Sequence, residues 1–157
     1  MTKNRSLVVV GIAASLFLSG QLDLRAAGQG TAKFDGSWNV TVDTKAYKNP
    51  DGSTAQPWVI HFPATVKNGV FHGEWGTRGK PSFYELNGQI DPDGTASLRV
   101  DEITGLQKFN FSTTNKAPPG RGTGYSYQVA AHFDSQRGTG RSTSNQRTRI
   151  FSFVKKS

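Results

Sequence analysis

The dipeptide Asn68-Gly69 constrains this chain more than any other feature, because the residues on both sides of it alternate between apolar and polar. Asn-Gly readily supplies the two left-handed residues of a type I′ turn, so the flanking stretches must run back on each other as a tight antiparallel hairpin. A two-residue loop also fixes the register. Over residues 58–76, Phe62 then faces Trp75, Ala64 faces Gly73 and Val66 faces Phe71 on one side. On the other side His61 meets Gly76, Pro63 meets Glu74, Thr65 meets His72 and Lys67 meets Val70. One face is apolar and the other largely polar, and a slip by one residue would mix them.

A second turn, Asp91-Pro92-Asp93-Gly94, repeats the pattern if Gly94 takes the left-handed position of a three-residue loop. Leu86 then meets Val100, Gly88 meets Leu98 and Ile90 meets Ala96. Opposite them, Asn87 meets Arg99 and Glu85 meets Asp101, with Arg99 placed diagonally between the two acids. Alternation also marks a first strand in which Trp38, Val40 and Val42 share a face, and a seventh over residues 124–134 with Tyr125, Tyr127, Val129, Ala131 and Phe133 on one side. Phe109 and Phe111 suggest a sixth strand, ended by the Pro118-Pro119 loop. Residues 138–145 read as either a short edge strand or a Gly/Ser/Thr loop. In the last strand, over residues 147–155, Phe151 and Phe153 compete with Ile150 and Val154 for the inner face.

After residue 30 no stretch repeats apolar residues at helical spacing for three turns. The expectation is therefore an all-β domain of about eight strands joined in sequence, closed as an antiparallel up-and-down barrel, with a two-sheet β-sandwich as the alternative. Closure removes the exposed edges that a sheet would otherwise have to protect. The chain has no cysteine, so disulfides, a lipid-modified cysteine anchor and thiolate metal sites are excluded and the fold rests on core packing.

Ahead of the domain, Lys3 and Arg5 precede an apolar run from Leu7 to Leu18 that breaks at Ser19 and Gly20. Charge, a short apolar run and then a polar break describe a secretory signal peptide. The run is about twelve residues, against the roughly twenty of a membrane-spanning helix. The expectation is a leader over residues 1–27, cleaved near Ala27, a single domain over residues 28–157 without a transmembrane segment, and a periplasmic or secreted location.

Charge is uneven along the domain. Residues 28–107 carry seven basic and nine acidic side chains, whereas residues 108–157 carry nine basic ones against Asp134 alone. Arg137, Arg141, Arg147 and Arg149 thus form a candidate surface for an anionic envelope polysaccharide or lipid. No aromatic and basic nucleic-acid signature accompanies the charge.

Phe34-Asp35-Gly36-Ser37-Trp38-Asn39-Val40 resembles the opening of small exported bacterial β-barrel proteins of unassigned function. Gly36-Ser37-Trp38 is also similar to the Gly-x-Trp start of the calycin group, the lipocalin and avidin-type barrels. The hairpin from Asn68 to Trp75 resembles one found in such barrels. The resemblance implies an eight-stranded barrel in which Arg147 or Arg149 packs across Trp38 to close the base. No lipocalin Thr-Asp-Tyr motif and no biotin-binding loop is present, so the resemblance implies no particular ligand.

His61, His72 and Glu74 fall on the polar face, and His132 falls opposite the apolar parity of its strand, which makes them surface residues rather than a metal site. No nucleophile elbow, phosphate loop, zinc-protease or dinucleotide fingerprint occurs. The expectation is a protein that is not an enzyme and uses no cofactor. The inward set, Trp38, Phe62, Phe71, Trp75, Tyr84, Phe109, Phe111, Tyr125, Tyr127 and Phe133, stands opposite small residues such as Ala64, Gly73, Gly88 and Ala131. Such a set either interlocks as a solid core or leaves a slot for a small hydrophobic or amphipathic ligand. In the second case Trp75, Tyr84, Tyr125 and Tyr127 line the barrel mouth, because buried tyrosine hydroxyls need partners that a ligand can supply. The rival expectation is a solid-core interaction module that works through its basic surface.

Overall fold

The computed structural model describes residues 30–114, 116–144 and 146–157. The expected leader and its cleavage site lie outside the described residues. Among the described residues no helix is long and apolar enough to cross a membrane.

Eight antiparallel strands close into a barrel. They are β1 (Gly36–Thr44), β4 (Trp58–Lys67), β5 (Val70–Trp75), β6 (Tyr84–Ile90), β7 (Thr95–Ile103), β8 (Gly124–Phe133), β9 (Arg137–Ser144) and β10 (Arg147–Lys155). Two short strands, β2 (Tyr47–Lys48) and β3 (Thr54–Ala55), form a separate hairpin between β1 and β4. Each barrel strand pairs with its sequence neighbour, and β1 pairs with both β4 and β10, which closes the sheet. The architecture is the up-and-down barrel and not the sandwich.

Both hairpin registers agree with the sequence reading where the ladders form. Ala64 through Lys67 pair with Gly73 through Val70, and Tyr84 through Ile90 pair with Glu102 through Ala96. Asn68 (φ 53°), Gly69 (φ 77°) and Gly94 (φ 93°) take the left-handed backbone that these turns require. In the last strand Phe151 and Phe153 are buried while Ile150 and Val154 are exposed.

Three expectations are corrected. Phe109 and Phe111 lie on no strand: residues 107–109 form a short 3-10 turn inside the long connection between β7 and β8. The eighth barrel strand is instead β9, which is internal to the sheet, hydrogen-bonded to β8 and β10. Its inward positions are small because neighbouring side chains fill the space: a Cβ on Gly138 would stand 2.6 Å from the Phe133 ring. Arg99 does not bridge the acids either. It binds Asp101 and the Ser126 hydroxyl, while Glu85 is taken by Arg78.

The barrel has a sealed end and a decorated end. At the sealed end Trp38, Phe71, Phe133 and Phe153 interlock edge to face or tilted, with ring centroids 4.7–5.8 Å apart. The 3-10 turn Ala32–Phe34 lies over this end, with Phe34 buried and its carbonyl accepting a 2.9 Å bond from the Trp38 indole. The large and small residues therefore mesh as a packed interior. At the other end the β2–β3 hairpin, residues 76–83 and the long β7–β8 connection surround the mouth.

Candidate functional site

The mouth is polar inside, which period-two alternation alone explains. Inward positions on β7 run Ala96, Leu98, Val100 and then Glu102; on β10 they run Arg147, Arg149, Phe151 and Phe153. Continuing each strand past its apolar residues delivers one carboxyl and two guanidinium groups to the same rim as Tyr84, Tyr125 and Tyr127. The Tyr84 and Tyr127 hydroxyls share a 2.9 Å hydrogen bond. Tyr125 stacks on Tyr127, the Arg149 guanidinium lies 4.3 Å from the centroid of Tyr127, and its Nη2 donates to the Tyr125 hydroxyl at 3.3 Å.

Arg147 has a structural task. It is 1% exposed and donates from Nε to the Lys45 carbonyl at 3.0 Å, from Nη2 to that of Gln56 at 2.7 Å, and from Nη1 to that of Phe109. One side chain thus fastens three connections across the mouth. Burial depresses its pKa to about 10, the nearby Arg149 charge adding to the effect, and it stays charged at neutral pH. The long connection is held further by Gln56 N–H to the Lys108 carbonyl, Ser112 N–H to Asn49 and Asn110 to the Pro119 carbonyl.

Burial pushes the three tyrosine hydroxyls well up, so they are neutral donors and acceptors throughout the physiological range. Burial also raises Glu102, although Arg149 and then the Tyr125 hydroxyl work in the opposite direction. Its Oε2 is buried with no hydrogen-bond partner among the described residues.

A cleft of about 300 Å³ opens beside this cluster, lined by Trp58, Trp75, Phe83, Tyr84, Leu106 and Phe109, with Glu102, Asn110 and Ser82 as its polar side chains. Its origin is a seam in the barrel wall. The β4–β5 ladder ends at Ala64↔Gly73, although both strands continue toward the mouth. The next residue of β4 is Pro63, which has no N–H to give to a ladder and is tolerated where pairing stops. Beyond it β4 is paired, among the described residues, with β1 alone. Trp75, expected inside against Phe62, instead pairs with Tyr84 on β6 and stands 37% exposed at the edge of the gap. Val59 at 54% and Leu106 at 55% extend the apolar rim.

Of the four expected mouth residues, Trp75 and Tyr84 line the cleft, Tyr125 faces two neighbouring depressions, and Tyr127 is buried. Trp58, Phe83, Glu102 and Leu106 were not anticipated. Pro63 inside a strand and an acid at an inward position were the readable signals.

The four arginines separate. Arg137 and Arg141 are exposed on the outer wall, paired across strands with the exposed Val154 and Ile150. Arg147 and Arg149, at 1% and 0% exposure, are buried and cannot meet a surface polymer. Nor does either pack across Trp38, since Arg149 aligns with Thr44 at the mouth while Trp38 aligns with Lys155 at the sealed end.

On the outer wall His61, His72 and His132 are exposed, as their parity requires. His72, Glu74 and Glu85 come within 4.8 Å of one another, but the Arg78 guanidinium already bridges both carboxylates. The Asn87 Oδ1 accepts from Nδ1–H of the His72 imidazole at 2.6 Å. The cluster ties residues 76–83 to the barrel, with Arg78 also lying 5.3 Å over the Phe83 ring.

Comparison with known protein families, with curated proteins and with solved structures finds no match. A functional reading must therefore come from the chemistry of the mouth.

Proposed function

We propose that this chain is a non-enzymatic, exported barrel of calycin-like type that takes up a small amphipathic molecule in the seam at its mouth. The observation that carries the reading is the pairing of an apolar cleft, rimmed by exposed Trp75, Val59 and Leu106, with a buried Glu102 oxygen that has no hydrogen-bond partner among the described residues. Exposed apolar rims around a concavity mark binding sites more often than plain surface. An unmatched buried acceptor costs about 1–3 kcal/mol until something donates to it. The cleft volume, about 300 Å³, lies at the small end of the range for small-molecule sites.

The alternative reading, a basic surface for an anionic envelope polymer or lipid, keeps Arg137 and Arg141 but loses the buried Arg147 and Arg149. The seam is the better supported of the two.

Titration with 1-dodecanol followed by tryptophan fluorescence tests the proposal, since Trp58 and Trp75 line the cleft while Trp38 is sealed at the far end. A saturable change at one equivalent is expected. Trp75→Ala, which removes an exposed ring and leaves the core intact, weakens the apparent affinity about tenfold on the scale of burying such a ring. An unchanged spectrum at saturating dodecanol rejects the reading.

A further inference from the structure

The polar valence of the cleft specifies the head group of what binds there, an inference that rests on the binding reading above. Five aromatic rings line it, those of Trp58, Trp75, Phe83, Tyr84 and Phe109. Among the described residues no Lys, Arg or His does. The charged group it presents is the Glu102 carboxyl, whose Oε2 is buried without a partner among the described residues. The two guanidinium groups of the mouth do not line the cleft, although both attract the Glu102 carboxyl: Arg147 is spent on three backbone carbonyls, and Arg149 lies against Tyr127 and reaches Tyr125. From this juxtaposition we propose that the cleft selects an amphipathic ammonium, with the protonated nitrogen donating to Glu102 Oε2 among the rings and the alkyl or aryl body on Trp75, Val59 and Leu106.

Each part of the site has a reason to prefer that chemistry. Ring faces attract a cation through their quadrupoles, most strongly for Trp and where water is thin. A charge-assisted hydrogen bond to a carboxylate is roughly twice as strong as a neutral one. Burial, which otherwise works against the ionised form of Glu102, favours a ligand that brings its own counter-charge. Two of the rings already hold cations of the chain itself, Arg78 at 5.3 Å from Phe83 and Lys108 at 4.9 Å from Phe109. Both are solvent-exposed, and Arg78 is neutralised by Glu74 and Glu85, so their repulsion of a further cation is screened. A carboxylate head would face Glu102 with no donor of opposite charge in the cleft.

The test compares three probes that share a tail and differ in head: dodecylamine, 1-dodecanol and dodecanoate, each below its aggregation limit at pH 7 and titrated against the intact protein. The amine is expected to bind about tenfold more tightly than the alcohol, and dodecanoate most weakly. Glu102→Gln should remove the preference, bringing affinity for the amine near that for the alcohol. Equal affinity for all three heads, or dodecanoate binding most tightly through Arg149, overturns the ammonium assignment and leaves the cleft as a binding site. Failure of all three to bind rejects the binding reading itself. The wild-type comparison needs no variant to fold.

Discussion

Glu102 follows Ala96, Leu98 and Val100 on the inner face of β7, and its position shows how a single residue can make one end of a barrel reactive to its surroundings. Burial raises its pKa above the ordinary 4.5, against the pull of Arg149, the Tyr125 hydroxyl and Arg147. In the unfolded chain the proton leaves near 4.5, whereas in the folded protein it is retained to higher pH. The folded state is therefore favoured by the bound proton below the window and loses stability as pH rises from 4.5 through the folded pKa. Glu102→Gln should accordingly raise Tm by a few degrees at pH 7 and leave it unchanged at pH 4, a contrast that thermal unfolding at the two pH values measures. An equal effect at both would mean that the carboxyl is not destabilised by burial. Alternation of β7 was legible in the sequence, but an acid at its last inward position reads as surface unless the strand is followed past Val100. The arginines of β10 were harder to place, because Ile150 and Val154 compete with Phe151 and Phe153 for the inner face. Only pairing with β1 and β9 settles which set turns inward.

Among the elements, the two hairpins were readable because Asn68-Gly69 and Asp91-Pro92-Asp93-Gly94 set their registers locally. Strand β9 was not, since its Gly138 and Gly140 are small for a reason found in β8, where Phe133 and Val129 occupy the space. Phe109 and Phe111 mimic alternation, yet Arg147 fixes the Phe109 carbonyl over the mouth and its guanidinium lies 5.4 Å from the Phe111 ring. The seam depends on β4, whose Pro63 points outward and interrupts the ladder to β5 without touching the core. Pro63→Thr restores an N–H at an exposed β-compatible position, so the ladder should extend toward Glu74 and narrow the cleft. The expected outcome is new hydrogen-exchange protection in β5 at Glu74, with dodecanol affinity reduced severalfold. Protection gained with affinity unchanged would separate the seam from the binding site.

As a whole molecule, the barrel joins an aromatic base, closed by Trp38 and Phe34, to a mouth where Arg147 fastens three connections and the wall between β4 and β5 stays open. Up-and-down closure put Glu102, Arg149 and three tyrosines at one end although they lie up to 65 residues apart in sequence from Tyr84 to Arg149. Sequence alternation gave their parity strand by strand, but only closure tells which strand ends share a rim. That rim is separate from the outer wall, where Arg137 and Arg141 are exposed. Amide chemical-shift mapping of the ¹⁵N-labelled protein with dodecylamine tests this most directly. Shifts are expected at Val59, Trp75, Phe83, Glu102 and Leu106, with the turns at Asn68-Gly69 and Asp93-Gly94 unmoved. Shifts centred on Arg137, Arg141 and their neighbours in β10, or none anywhere, would contradict it.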